Sequence, residues 1–214
     1  MHHLGRRSGN VQDAIEKMTY VGLSILIMLL TIAAFYLRFE KKKVRSRRLV
    51  IIAVMTALSV LGRFIFGALP AFKPITAIVI VTAIWMGPEC GFMVGSLTAV
   101  ISNFYFGQGP WTPFQMVAWG LIGVLAGLFS KSLKNNRLWL YVFGFLTGAL
   151  YSNFMDIWTV LWYGQGFVWS MYKAALITGA PYAASNAVSN VIFLMLIGKP
   201  FGEKFDRVIN KYGI

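Results

Sequence analysis

The sequence predicts an all-α integral membrane protein, and three observations carry this prediction. The chain of 214 residues is 57% hydrophobic and 15% aromatic, and only 13% of its residues are charged, about half the proportion of an ordinary soluble domain. Its apolar residues form runs close to the length of about 20 residues that a membrane-spanning helix needs. Its basic residues lie mostly in short blocks between those runs, a pattern typical of topology signals.

Seven apolar runs are predicted to be membrane-spanning helices. They cover residues 18–37, 49–69, 75–86, 92–106, 113–129, 138–162 and 178–197. The third run is short and Gly87-Pro88 follows it, so the third and fourth runs are predicted to form a tight helical hairpin. The segment FEKKKVRSRR follows the first run like a stop-transfer block. We therefore expect the first run to be retained as a span rather than cleaved as a secretory signal.

The basic blocks predict the orientation of the chain. Because short basic loops stay in the cytoplasm, the N-terminus is expected outside, and Glu89, the KSLKNNR loop at 131–137 and the C-terminal tail inside. The loops at 69–75, 106–113 and 162–181 are then external. The net charge of +13 thus reflects topology. We expect no nucleic-acid binding, which needs a basic face on a folded domain.

Small residues four apart indicate where helices pack closely in lipid. We interpret three glycine pairs as packing within the chain: Gly91 and Gly95, Gly123 and Gly127, Gly144 and Gly148. Ala53 and Ala57 differ from these pairs, because they stand at the start of their helix beside the large basic block. That position is the expected docking surface for a partner protein.

Polar side chains in or near the spans converge on the predicted external side. Such residues are costly in a membrane and usually face a protein interior or a cavity. They are Arg63, Asn103, Gln115, Asn153, Asp156, Asn186 and Asn190. All but Asn190 are assigned to the outer half or the outer end of their spans.

The stretch FGQGPWTPFQMVAWG, residues 106–120, is interpreted as the rim and wall of an outward-facing ligand pocket. Its glycines and prolines shape a loop, Trp111 and Trp119 offer apolar planes, and Gln108 and Gln115 offer donors and acceptors. The full set of predicted binding residues is Arg63, Phe72, Lys73, Asn103, Tyr105, Gln108, Trp111, Gln115, Trp119, Asn153, Asp156, Tyr163, Tyr182 and Asn186.

Asp156 is an acidic residue in a predicted span, and the sequence allows two roles for it. It is either a structural carboxylate, bonded to Asn153 or paired with Arg63, or a group that contacts ligand or couples an ion. No nucleophile elbow, zincin helix or phosphate-binding glycine loop occurs, and the single Cys90 with two N-terminal histidines forms no metal-ligand set. We therefore expect no cofactor, and any ATP hydrolysis must come from another chain.

Residues 48–197 resemble the substrate-binding S component of an energy-coupling factor (ECF) vitamin transporter. The resemblance rests on two stretches. AVMTA, with Ala53 and Ala57, matches the alanine motif by which such proteins dock on a shared transmembrane coupling subunit, and GRFIFGALPAFKPITAIVIVTAIWMGPECGFMVG begins at Gly62. Such a protein has about six helices and lies in the bacterial cell membrane, surrounded by lipid. The run at 18–37 is then an additional helix.

The resemblance implies a division of the chain and a mechanism. Residues 1–47 hold a tail, the extra helix and a basic linker; 48–198 form the substrate-binding domain; 199–214 form a cytoplasmic tail. The ligand binds near the outer surface under the three external loops, and two separate ATPase subunits hydrolyse ATP. The whole S component then topples against the coupling subunit, with Ala53 and Ala57 as the docking surface.

The substrate that the resemblance indicates first is cobalamin or a related corrinoid, because FGQGPWTPFQM resembles members associated with cobalamin uptake. Riboflavin, thiamine, pantothenate and queuosine remain alternatives. Two other classes stay open. An integral membrane lipid-modifying enzyme would have to use Asp156 with Asn153, and a purely structural assembly subunit would explain the glycine pairs but not the external loop at 106–113.

Overall fold

The computed structural model describes residues 2–41, 46–164 and 166–213, which fold into helices and contain no strand. The prediction of an all-α protein is confirmed. The helices are α1 His2–Lys41, α2 Ser46–Ile65, α3 Ile75–Met86, α4 Pro88–Phe106, α5 Thr112–Leu128, α6 Ser130–Asn135, α7 Arg137–Tyr163 and α8 Trp169–Tyr212.

Four described stretches are long and apolar enough to cross a membrane: Met18–Lys41 of α1, α2, α7 and α8. The helices α3 and α5 are apolar but shorter. With 12 residues, α3 has the predicted bounds and rises only about 18 Å. Almost all of its side chains are buried, so α3 is the central helix of the bundle. Gly87 alone separates it from α4, and the two helices form the predicted hairpin.

Two predicted loops are wrong in extent. The external loop expected at 162–181 is short, because α8 begins at Trp169 and continues through Pro181 and Pro200. Proline is tolerated inside membrane helices because neighbouring helices and side chains satisfy the carbonyl groups that it leaves unpaired. The expected loop at 131–137 contains the helix α6.

The helices α4 and α5 pack backbone against backbone through glycine. A Cβ atom on Gly91 would lie 2.9 Å from Cα of Gly123, and one on Gly95 would lie 2.6 Å from the carbonyl carbon of Trp119. In α7, a Cβ on Gly148 would lie 2.7 Å from Cα of Ala187 in α8. The interpretation of the glycine pairs as packing within the chain is confirmed.

Gly123→Ala is expected to lower the free energy of unfolding by about 1–3 kcal/mol, because the added methyl group forces α4 and α5 apart. The matched control is Gly22→Ala in α1, where no atom lies within 4 Å of the added Cβ. That control should leave stability unchanged or raise it slightly through helix propensity. Thermal unfolding in detergent measures both, and equal shifts for the two variants would contradict close glycine packing.

The additional helix α1 packs along α4, α5 and α7. The ring of Phe35 stacks on Phe92 with centroids 4.1 Å apart, and the hydroxyl of Tyr36 bonds to that of Ser96 at 3.1 Å. Nε of Arg38 lies 3.7 Å from Oε1 of Glu89 in the first turn of α4. Near the other end of the bundle, the ring of Tyr20 packs against Gly166, and a Cβ atom added to Gly166 would lie 3.0 Å from that ring. These contacts attach α1 near both ends of the bundle.

The two ends of the bundle differ in character. The connections α2–α3, α4–α5 and α7–α8 meet at one end, which we call the loop end. The α3–α4 turn, α6 and the last turns of α8 meet at the other, which we call the basic end. There Nε1 of Trp85 donates to Asp206 at 2.8 Å, and Nζ of Lys134 lies 4.9 Å from the Trp85 ring. The described basic residues at this end are Arg38, Lys41, Arg47, Arg48, Lys131, Lys134, Arg137, Lys199, Lys204, Arg207 and Lys211.

Candidate functional site

Four helices bring polar side chains together at the loop end. Arg63 lies in the last turn of α2 and Asn103 in the last turn of α4, while Thr112 and Gln115 lie in the first turn of α5. Because successive helices of the bundle run in opposite directions, these turns meet at the same end. Tyr151 of α7 closes the group from the far side.

Hydrogen bonds link these side chains into one network. Nη1 of Arg63 donates to Oδ1 of Asn103 at 2.8 Å and also to the hydroxyl of Ser102. Nδ2 of Asn103 donates to Oε1 of Gln115 at 2.7 Å and to Oγ1 of Thr112 at 2.9 Å. Nε2 of Gln115 donates to the Tyr151 hydroxyl at 3.3 Å. The Arg63 network therefore consists of Arg63, Ser102, Asn103, Thr112, Gln115 and Tyr151.

Aromatic rings enclose the guanidinium group of Arg63. Its Cζ lies 4.6 Å from the centroid of Phe106 and 5.6 Å from that of Trp119, within the range of cation–π attraction. Trp119 is only 4% exposed, and it stacks on Tyr151 with centroids 4.8 Å apart and planes at 8°. This packing fixes Trp119 as a support for Arg63 and Tyr151, with no open face of the kind that the sequence suggested.

Lys73 approaches the network from the α2–α3 connection. The Ser189 hydroxyl of α8 accepts from the Lys73 backbone N–H at 3.0 Å and donates to its carbonyl at 3.2 Å, which fixes the loop. Burial lowers the pKa of the Lys73 ammonium group, and the positive charge of Arg63 lowers that pKa further. The loop end thus holds two cations close enough to repel each other.

Gln108 and Trp111 lie in the α4–α5 connection. Nε2 of Gln108 donates to the carbonyl of Val100 at 2.8 Å, and its Oε1 accepts from the Thr112 hydroxyl at 3.0 Å. The Gln108 amide therefore closes the loop itself. Trp111 remains 37% exposed, and its ring lies across Gly109.

The predicted residues of α7 and α8 make separate contacts beside the network. Nδ2 of Asn186 donates to the Ser152 hydroxyl at 2.8 Å, and the carbonyl of Asn153 accepts from the Tyr172 hydroxyl at 3.2 Å. Within the described part of the chain, Asp156 neither bonds to Asn153 nor pairs with Arg63, so neither structural role considered for it is formed. Its carboxylate faces α8, where a Cβ on Gly179 would lie 3.3 Å from Oδ2.

The remaining predicted residues are aromatic. Tyr182 lies close enough to Arg63 to interact with it electrostatically. Phe72 packs between Phe66 and Phe193, and these contacts anchor the α2–α3 connection. Tyr105 and Tyr163 are 74% and 73% exposed, so the structure does not bring them into the network.

Four residues that hold the site together were not predicted: Ser102, Thr112, Tyr151 and Ser189. Ser102 and Thr112 each stand within a few residues of predicted polar side chains, a weak signal that was available in the sequence. Tyr151 and Ser189 gave no local signal, because their roles come from contacts with α5 and the α2–α3 connection.

A bundle of membrane-spanning helices with a shared polar network at one end is typical of membrane proteins whose intramembrane polar residues face the protein interior or a cavity. The family described as "ECF transporter, substrate-specific component" matches residues 47–203, most of the chain, and the chain belongs to this family. The resemblance to an S component is therefore confirmed. The protein is a multi-pass cell-membrane protein, and the family to which it belongs is one of transporter components.

Three relatives share part of this sequence. A UPF0397 protein of Vibrio atlanticus (strain LGP32) is 28% identical over 95 residues, which are 42% of this chain and 52% of that protein. A UPF0397 protein of Aliivibrio fischeri (strain MJ11) is 28% identical over 95 residues, 42% of this chain and 51% of its own length. One of Clostridium perfringens (strain ATCC 13124) is 29% identical over 105 residues, 46% of this chain and 55% of its own length. This chain spans about half the length of these curated relatives. No solved structure matches it.

Proposed function

We propose that this chain is the substrate-binding subunit of an ATP-driven ECF importer and captures a vitamin at the outer face of the cell membrane. The observation that carries the proposal is the Arg63 network, which gathers polar side chains from α2, α4, α5 and α7 at the loop end. Family membership supports the transport function, and the network is the proposed ligand site.

The charge distribution supports the orientation. Among the basic residues whose side chains the structure describes, most lie at the basic end, and Arg63, Lys73 and Lys173 lie at the loop end. Because basic segments are retained in the cytoplasm, the basic end is cytoplasmic and the loop end faces outward. In the proposed orientation, the N-terminus lies outside the cell and the C-terminus inside.

The surface near Ala53 and Ala57 supports docking of the transmembrane coupling subunit there. Both alanines are exposed on α2. Beside them, an apolar groove of about 290 Å³ runs between α2 and the last turns of α8, with Val54, Met55 and Phe205 among its lining residues. Small side chains next to an apolar groove allow a partner helix to approach closely. Two ATPase subunits complete the proposed transporter, and this subunit topples against the coupling subunit to release its ligand inside.

We propose residues 48–198 as the substrate-binding domain, with 1–47 and 199–214 as additions at its two ends. The proposal covers vitamins as a class of ligand and does not single out one of them. A corrinoid is the first member to test, because the stretch at 106–116 resembles that of members associated with cobalamin uptake. Riboflavin, thiamine, pantothenate and queuosine are the alternatives.

Isothermal titration of the full chain in detergent with these five vitamins tests the proposal. We expect one of them to bind at submicromolar concentration. Trp111→Ala should weaken that binding by about tenfold, as expected for an aromatic residue at a binding surface. Trp139→Ala is the matched control, because Trp139 is also exposed but lies at the start of α7, at the basic end. A folded protein that binds none of the five would contradict the proposal.

A further inference from the structure

Two cations lie together at the loop end without an acidic partner. Arg63 and Lys73 are both half-buried and interact electrostatically with each other. Among the side chains that the structure describes, no carboxylate pairs with either of them, and the ion pairs that it describes involve Glu89 and Glu203 at the opposite end. Holding two like charges close together in a partly desolvated position is unfavourable unless an anion joins them.

Arg63 retains donors for such an anion. A guanidinium group has five N–H donors, and Nη1 uses its two on Ser102 and Asn103. Nε and Nη2 have no acceptor among the described residues. Both nitrogen atoms are accessible. Among the described side chains, the fully buried polar atoms that lack a hydrogen-bond partner are the hydroxyl oxygens of Thr56 and Ser59, and no atom of Arg63 is among them. The edge formed by Nε and Nη2 is the one that binds a carboxylate or phosphate in two parallel hydrogen bonds.

A purely structural role for Arg63 explains less. It lies near the C-terminal ends of α2 and α4, whose partial negative charges favour a cation. Phe106 and Trp119 add cation–π attraction. These interactions account for a charged Arg63 at this depth. They do not account for its unused donors, or for the fixed loop that holds Lys73 beside it.

We propose that the ligand carries an oxyanion, a carboxylate or a phosphate, which binds between the Nε–Nη2 edge of Arg63 and the ammonium group of Lys73. This inference rests on the proposed function and narrows its substrate class. It favours vitamins such as pantothenate, which has a carboxylate, and cobalamin, which has a phosphodiester. It disfavours thiamine, which is a cation.

Matched ligand pairs test this proposal on the full chain in detergent. The pairs are pantothenate with panthenol, riboflavin 5′-phosphate with riboflavin, thiamine monophosphate with thiamine, and cyanocobalamin with cobinamide, which lacks the phosphodiester arm. For at least one pair we expect the oxyanion form to bind at least about tenfold more tightly. Carboxylate and phosphate sources are distinguished by which pair responds.

Charge variants connect the effect to the two cations. Arg63→Gln and Lys73→Gln should each remove the preference for the oxyanion form, so that the two members of the responding pair bind with similar affinity. Lys173→Gln is the matched control, because Lys173 is an exposed lysine at the same end and stacks over Trp169. If Arg63→Gln does not fold, Gln115→Glu is the second variant that tests whether the oxyanion preference depends on this site. It preserves side-chain size and adds a carboxylate to the network that competes with the ligand.

The outcomes separate this inference from the proposed function. Equally tight binding of both members of the responding pair, with and without the oxyanion, would overturn the inference and leave the substrate-binding function intact. A preference that survives both Arg63→Gln and Lys73→Gln would also overturn it. Failure of every pair to bind a folded protein would contradict the inference and the proposed function together.

Discussion

Ala57→Trp is expected to abolish vitamin uptake by cells that contain the complete transporter, while the isolated subunit keeps its ligand affinity. Ala57 is exposed on α2, and close approach of a partner helix depends on small side chains. An indole at this position holds the two helices apart. Ala53→Trp should give the same result, because Ala53 lies on the same helix about 15 Å from Arg63.

Uptake of labelled vitamin and titration of the purified subunit measure the two halves of this prediction. Ala34→Trp is the matched control, because Ala34 is an exposed alanine on α1, on a different flank of the bundle. It should reduce neither uptake nor affinity. Loss of affinity in Ala57→Trp, or loss of uptake in the control, would exclude a specific docking role for this surface.

Asn103→Leu should have the largest effect on the binding site. Asn103 is 1% exposed, and its amide connects Arg63 with Thr112 and Gln115. Leucine has a similar size but offers no polar atom, so the three partners each lose a hydrogen bond. We expect the free energy of unfolding to fall by about 2–4 kcal/mol. Ligand affinity should fall by about 100-fold, because Arg63 loses the bond that positions it.

Asn190→Leu controls for the general cost of removing a buried amide. Asn190 is also buried, and its Nδ2 donates to the carbonyl of Gly144 at 3.1 Å, away from the Arg63 network. Thermal unfolding should show a destabilisation of similar kind in both variants. Titration should show normal affinity in Asn190→Leu alone. Equal losses of affinity would mean that the network stabilises the bundle without positioning a ligand.

The sequence predicted the positions of the apolar helices well because hydrophobicity is a local property, although only four of the described helices are long and apolar enough to cross a membrane. Residues 75–86 were predicted with the bounds that α3 has, and Arg63, Asn103 and Gln115 were correctly placed in one group by their depth in the membrane. Their shared end follows from the alternating direction of successive spans. No tertiary information is needed for that part of the prediction.

The errors arose where neighbouring helices decide the local structure. Gly179 and Pro181 were interpreted as loop residues, yet α8 continues through both because it packs against α7 and α3. Trp119 was expected to offer an open ring, but the α5 backbone approaches Gly95 so closely that this ring is enclosed by Tyr151 and Arg63. The side chain of Gln108 donates to the backbone carbonyl of Val100 in α4, and the position of Gln108 in the sequence could not reveal this bond.

The attachment of α1 has a consequence for lipid. Its exposed side chains, among them Leu23, Ile27 and Leu30, are large and flexible, whereas α2 exposes Ala53 and Ala57. The protein therefore has one flank suited to disordered acyl chains and another suited to a rigid helix surface. Because α1 contacts the bundle near both ends, any tilting of the bundle moves this flank as well. If the bundle tilts during transport as proposed, the boundary lipids on the α1 side must rearrange in each cycle, and bilayer thickness and fluidity should affect the rate of uptake more than the affinity for ligand.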